Sequence, residues 1–412
     1  MRVFANLFLI LFFADGVISL SDELVSLLFP LPALSELRSF LANVVIVMAF
    51  AVYLCLGIDK RLPKRIFLPL ILFVFICPLS AGFFPSLAGS QAYRLLMAAG
   101  QVFLGVLPIF RFRKTGELIL VMPKAMFDAP FFSLRNTLIF GAANLVVIPF
   151  ALVLFTLSAV NSYMEVNTSG FMRLGPDGLH MTERVYRRDN KTIRLAAMIH
   201  VGEKEYYEDM VGSIAPGRTI VLAEGVTDDK KLVRNRLDYG KFAGILGLTS
   251  QENMRFNGRI IGNLEKPSPK PKAEGKKETA ESADILRADV DISSFRPQTI
   301  HFLDALGKHL RENASMVKGL MSFNTWAEKN ITPETHQIIM DDILYARNKE
   351  VIRHLRKALQ QYDTIVIPWG ALHMPEIEAE VLKLGFELRQ EQERVSIDLI
   401  KMLRSTNKGP DK

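Results

Sequence analysis

Two histidines in this chain stand where an α/β sheet does chemistry. His200 closes the apolar run TIRLAAMIH at 192–200, and His373 comes shortly after YDTIVIPW at 362–369. A third run, TIVLAE at 219–224, ends on Glu224. Each run is short and rich in β-branched residues, the pattern of a buried strand. Ligands of open α/β sheets gather beyond the carboxyl ends of the strands. Two imidazoles and a carboxylate converging there make an open site for a divalent metal ion such as manganese, cobalt or zinc. A water on that ion would become a nucleophile at neutral pH. On spacing alone, the competing reading is that each histidine only hydrogen-bonds its own strand end. Glu203 lies three residues after His200 and offers a general-base carboxylate. An acid in a first helical turn is also what a helix dipole favours. His180, His301, His309, His336 and His354 have no spacing that favours a metal.

These residues need elements to position them. Helical patterns at 203–213 and 375–385 follow the first and third strands. Pro375 suits a first helical turn and Gly385 a stop. Residues 339–361 read as an amphipathic helix, and 386–400 as two closing strands. The alternation predicts an α/β domain over 161–412, with a mixed central sheet flanked by helices. Residues 264–283, LEKPSPKPKAEGKKETAESA, are rich in Pro, Lys and Glu with almost no apolar anchor, and predict a flexible inserted loop.

The wording around these residues resembles the TraB/GumN/TIKI family, within the wider group of erythromycin esterase-like and ChaN-like proteins. Ala197-Met198-Ile199-His200 resembles the first G-x-x-H motif, and Gly370-Ala371-Leu372-His373 matches the second. Glu224 in VLAEG matches the acid after the second strand. Gly247-Leu248-Thr249-Ser250-Gln251 resembles a short glycine-bearing segment, Asp289-Val290-Asp291-Ile292 a D-R-D-I element, and Arg347 stands at an E-R-D arginine. The resemblance covers about 190–400 and implies a metal-dependent hydrolase, in particular a peptidase acting on an extracytoplasmic peptide or protein. It implies His200, Glu224 and His373 as metal ligands, with Arg347 stabilising an oxyanion or fixing a carboxylate. A salt bridge from Arg347 to Asp289 or Asp291 is the structural alternative. Ala197, Val290, Ala346 and Asn348 depart from the family pattern. They motivate the rival expectation, a non-catalytic ligand-binding or regulatory protein with a degenerate domain of this kind.

The first 160 residues are of another kind. Apolar stretches at 3–20, 39–58, 66–86, 95–110 and 137–160 are each near the length that crosses a bilayer. The first reads as an uncleaved span in preference to a signal peptide. The loop 59–65, DKRLPKR, has four basic residues and one acid, and 111–136 adds Arg111, Arg113, Lys114, Lys124 and Arg135. The positive-inside rule puts both loops in the cytoplasm. Five spans then place 161–412 outside it, in the periplasm of a Gram-negative cell. Residues 117–134 are expected along the cytoplasmic interface. No span carries a central pair of acids or bases, which argues against an ion-coupled transporter.

Composition agrees. The chain is 49% hydrophobic with a mean hydropathy of +0.19, which excludes a mainly disordered chain. Much of the net charge of +7 lies in the inner loops, and no nucleic-acid motif accompanies it. Two cysteines, Cys55 and Cys77, exclude a disulfide scaffold. The expected partners are therefore a lipid bilayer and a peptide or protein ligand. The sequence sets no oligomeric state.

Overall fold

A computed structural model describes residues 1–29, 32–112, 121–175, 177–235, 243, 248–251, 254, 256, 258–264, 282–313 and 315–407. The chain divides into two compact units, Met1–Tyr163 and Met164–Lys412.

In the first unit, helices α1 (Arg2–Val25), α2 (Pro32–Ile58), α3 (Lys64–Phe83), α4 (Gln91–Phe112) and α5 (Leu134–Asn167) cover the five apolar stretches. All five are long and apolar enough to cross a membrane. The bundle core gathers Phe8, Phe12, Val52, Leu56, Phe67 and Leu70, each almost wholly buried. The two basic loops meet at one end: the Lys60 N–H donates to the Phe131 carbonyl at 2.9 Å, and Arg61 Nη1 to that of Phe127 at 2.9 Å. Within the segment 117–134, Met122 is fully buried, and its N–H donates to Asn6 Oδ1 at 2.9 Å. Elsewhere, Glu23 binds both Arg38 and Arg94, and Asp22 binds Arg38 at 3.2 Å.

The second unit is the expected mixed sheet flanked by helices. Its strands are β1 (Met172–Leu174), β2 (Gly178–Arg188), β3 (Lys191–Met198), β4 (Val201–Gly202), β5 (Thr219–Ala223), β6 (Thr249–Ser250), β7 (Gly258–Ile261), β8 (Ala283–Arg287), β9 (Thr364–Gly370) and β10 (Glu387–Asp398). The main sheet runs β1-β2-β3-β9-β5-β8-β7, with β10 also on β2, while β4 and β6 pair separately. Pairings from β3 through β9, β5 and β8 to β7 are parallel; β1, β2 and β10 add an antiparallel wing. Of the parallel strands, β3, β5 and β9 are largely buried and read as apolar runs, while β7 at the edge is exposed. Helices α6 (Lys204–Gly212), α7 (Pro297–Glu312), α8 (Met316–Asn330), α9 (Pro333–Met340), α10 (Arg347–Ala358), α11 (Met374–Lys383) and α12 (Leu399–Asn407) complete the unit.

Two details differ from the expectation. The closing pair of strands at 386–400 is one strand, β10, bent by irregularities at Leu388/Gln390 and Val395/Ile397, with α12 after it. Those register shifts break the period-2 pattern without ending the ladder. The helix expected at 339–361 contains a π turn, Asp341–Ala346, directly before Arg347. The expected loop lies mostly outside the described residues. Gly385 does end α11: it takes φ +79°, and its N–H donates to the Leu382 carbonyl at 2.9 Å. A Cβ is disfavoured at that φ, so Gly385→Ala should cost about 1 kcal/mol. An unchanged denaturation midpoint would remove this account of the helix stop.

Candidate functional site

The sheet order places four polar residues side by side. His200 follows β3, His373 follows β9, Glu224 follows β5 and Asp289 follows β8, all at carboxyl ends of neighbouring parallel strands. Arg347 reaches this edge from the start of α10. The π turn before it is anchored by Asp342, which accepts from the Arg296 N–H at 2.8 Å and from Thr299 Oγ1 at 2.6 Å. A π turn changes the helix phase locally, and here it sets the direction of the residue that follows.

Arg347 is the centre of the cluster. Its Nε donates to Asp289 Oδ1 at 3.0 Å, and Nη2 donates to Asp289 Oδ2 at 2.7 Å and to Glu224 Oε1 at 2.7 Å. Nη1 lies 3.3 Å from His373 Nε2. The guanidinium also sits over Trp369, 5.3 Å from the ring centroid. The Glu224 and Asp289 side chains are 5% and 0% exposed, so two buried carboxylates share one buried cation. Their remaining lone pairs go to backbone donors: Gly370 N–H to Glu224 Oε2 at 2.8 Å, and Gly225 N–H to Asp289 Oδ2 at 2.9 Å. Burial is the largest influence on the Glu224 carboxyl and works to raise it; the charge and hydrogen bond of Arg347, together with the neighbouring His373 and His200, outweigh it, so Glu224 ends below its ordinary value and stays ionised. Gly370 contributes its N–H; a Cβ there would meet Glu224 and His373 only at ordinary contact distance.

His373 is held as one tautomer. Asn348, itself fully buried, gives its amide N–H₂ to Glu376 Oε2 at 2.6 Å, so its Oδ1 faces His373 Nδ1 at 2.6 Å as an acceptor. Nδ1 therefore carries the proton and Nε2 the lone pair that meets Arg347. Burial, helped by the charge of Arg347, pushes the imidazole down to about 4. His373 is thus neutral near pH 7. Trp369 packs edge-on against it at 5.1 Å and ties β9 to β5 through Nε1–H to the Leu222 carbonyl at 2.9 Å.

A cleft of about 900 Å³ opens on this edge, lined among others by His200, Glu224, Gln251, Phe256, Arg287 and Arg347. His200 is exposed there, with Nδ1 3.0 Å from Gln251 Oε1; since that oxygen only accepts, Nδ1 is the protonated nitrogen. The structure thus gathers Glu224, Arg347, His373, Asp289 and Gly370 into one network, with His200 in the adjoining cleft. It puts Glu203 elsewhere, where its carboxylate meets Lys401 Nζ at 2.8 Å. Asp291 accepts from Thr227 Oγ1 at 2.7 Å and from the Ser293 N–H at 2.9 Å, bracing a turn. Gly247 lies outside the described residues.

Fit to a divalent ion depends on the same donors. Glu224 Oε1 and His373 Nε2 face each other at 3.8 Å, but Arg347 contacts both. Among the described residues, no group of three or more His, Cys, Asp or Glu is disposed to hold a metal. A guanidinium charge stands where the ion would, so the residues as placed do not fit one.

Sequence reasoning missed what Asn348 and Gln251 do, because the contact of an amide with a distant histidine leaves no local pattern. No protein-family model, curated protein or solved structure matches the chain. The family likeness rests on the motif residues themselves.

Proposed function

We propose that this is a membrane-anchored hydrolase that cleaves an amide or ester bond of an extracytoplasmic peptide or protein, with Arg347 supplying the positive charge that the family resemblance assigns to a metal. The observation that carries this reading is the convergence of His200, Glu224, Asp289, Arg347 and His373, from five separate stretches of chain, on one sheet edge beside one cleft. Arg347 has five N–H groups: one on Nε, two on Nη2, and two on Nη1. Four meet Asp289, Glu224 and His373, and among the described residues the fifth has no partner. A substrate carbonyl oxygen accepting that N–H would gain charge stabilisation as it becomes an oxyanion. His200, set in the cleft with its tautomer fixed by Gln251, takes the proton of the attacking water and returns it to the departing amine or alkoxide as the tetrahedral intermediate collapses and the scissile bond breaks. Glu224 and Asp289 hold the guanidinium and give up no proton, and neutral His373 fixes its Nη1 end. The outward placement of the domain rests on the basic loops at one end of an odd-numbered bundle.

The test uses the full chain in lipid nanodiscs with peptide and ester libraries, a chelator control and metal analysis. The expected result is chelator-insensitive turnover that His200→Ala abolishes. Near-stoichiometric metal, lost in both His200→Ala and His373→Ala, would overturn the metal-free chemistry. Absence of turnover with retained ligand binding would favour binding alone. Asn348 favours that second reading, because an amide cannot stabilise a protonated His373 as a carboxylate would. A reporter at Lys412 that is active only in the cytoplasm would overturn the placement.

A further inference from the structure

Asp15 lies within α1, 5% exposed, well inside a helix long enough to span a membrane. Its Oδ2 accepts from Gln101 Nε2 of α4 at 2.7 Å, and the same amide donates to the Phe12 carbonyl at 3.2 Å. Its Oδ1 is buried with no hydrogen-bond partner among the described residues. The two helices touch closely here. A Cβ at Gly16 would lie 3.1 Å from Gln101, and one at Gly105 would lie 2.9 Å from Phe13, leaving little room for a bridging water.

An ionised carboxylate with one bare oxygen in hydrocarbon is costly, and among the described residues no cation forms an ion pair with it. Of the charged groups around Asp15, Arg38 of α2 acts on it electrostatically, but that guanidinium binds Asp22 and Glu23. Cys77 of α3 is a further titratable group within electrostatic reach of it. A neutral carboxyl fits both contacts: the carbonyl oxygen takes the Gln101 N–H, and the bare oxygen carries the proton. Asp15, Ser19, Asp22 and Glu23 are all buried and recur at helical spacing along one side of α1. They form a polar line about 10 Å long from Asp15 to the Arg38–Arg94 cluster.

We propose that Asp15 is a proton-binding site of the membrane bundle, occupied at neutral pH and filled from the end that carries Glu23, Arg38 and Arg94. It is independent of the cleft in the second unit.

Infrared difference spectroscopy of the full chain in lipid, on exchange from H₂O to D₂O near neutral pH, tests this. The expected result is a protonated-carboxyl C=O band that is lost in Asp15→Asn and moves to higher frequency in Gln101→Leu, where the amide donor is gone. Uniform ¹³C-aspartate labelling of the unaltered chain should move the same band, so the test survives if Asp15→Asn does not fold. A band absent from the unaltered chain, or unmoved by both the label and Gln101→Leu, would overturn the proposal. So would a carboxylate signal that responds to sodium at fixed pH, which would make Asp15 a metal-cation site.

Discussion

Arg347→Met is expected to destabilise the C-terminal unit by about 3–5 kcal/mol, the cost of leaving buried charges without their counter-ion. The substitution keeps most of the side-chain volume, so loss of packing over Trp369 is a minor part. What is lost is, among the described residues, the one cation that touches both Glu224 and Asp289. One of these carboxylates would then have to take up a proton or draw in water. Arg347→Lys should recover part of the loss, because an ammonium supplies charge but not the fork of donors that serves two carboxylates at once. Unfolding of the full chain, followed by tryptophan fluorescence, measures both variants. A loss below about 1 kcal/mol for Arg347→Met, the worth of an exposed ion pair, would mean that the cluster is solvated and not the buried network described.

The second large effect is a dependence of stability on pH. In the unfolded chain His373 takes up a proton as pH falls through its ordinary 6.5; in the folded chain it does not until about 4. Between those values the unfolded state holds more protons, so stability falls as pH falls. The window runs from about 6.5 down to about 4, and the integrated loss is on the order of 3 kcal/mol. Below it both states are protonated and the loss is complete; above it this histidine contributes no slope. Carboxylates add their own slopes, so the measurement is the difference between the unaltered chain and His373→Gln across the window. Equal slopes in the two proteins would show that His373 is not held neutral by burial and by Arg347.

The readability of this protein followed the reach of each interaction. Strands β3, β5 and β9 are legible because parallel strands buried on both faces must be apolar throughout, as Ile193, Leu195, Val221, Leu222, Val366 and Ile367 are. Strand β2 is less legible, because its buried positions include Thr182 and Glu183. Glu183 is tolerated only through Arg194 at 2.6 Å and through Arg394 on β10. The spans are legible from length and hydropathy, while the binding of Arg38 and Arg94 by Glu23 depends on helix packing. In the site, His200, Glu224, Arg347 and His373 could be picked out as residues. Their division of labour could not, since the tautomer of His373 is set by Asn348 across 25 positions of chain.

The six residues Asp341–Ala346 carry a last implication. In an α-helix, one residue more or fewer turns everything beyond it by about 100°. A π turn is how a helix absorbs such an extra residue without unwinding. Asp342 pins one side of this turn and Arg347 begins the other, so the aim of the guanidinium is set by a count of residues as much as by their identity. Shortening the segment by one would leave the sheet and its flanking layers in place while swinging the cation off both carboxylates. A change in length can therefore take this cluster apart while leaving every motif letter intact.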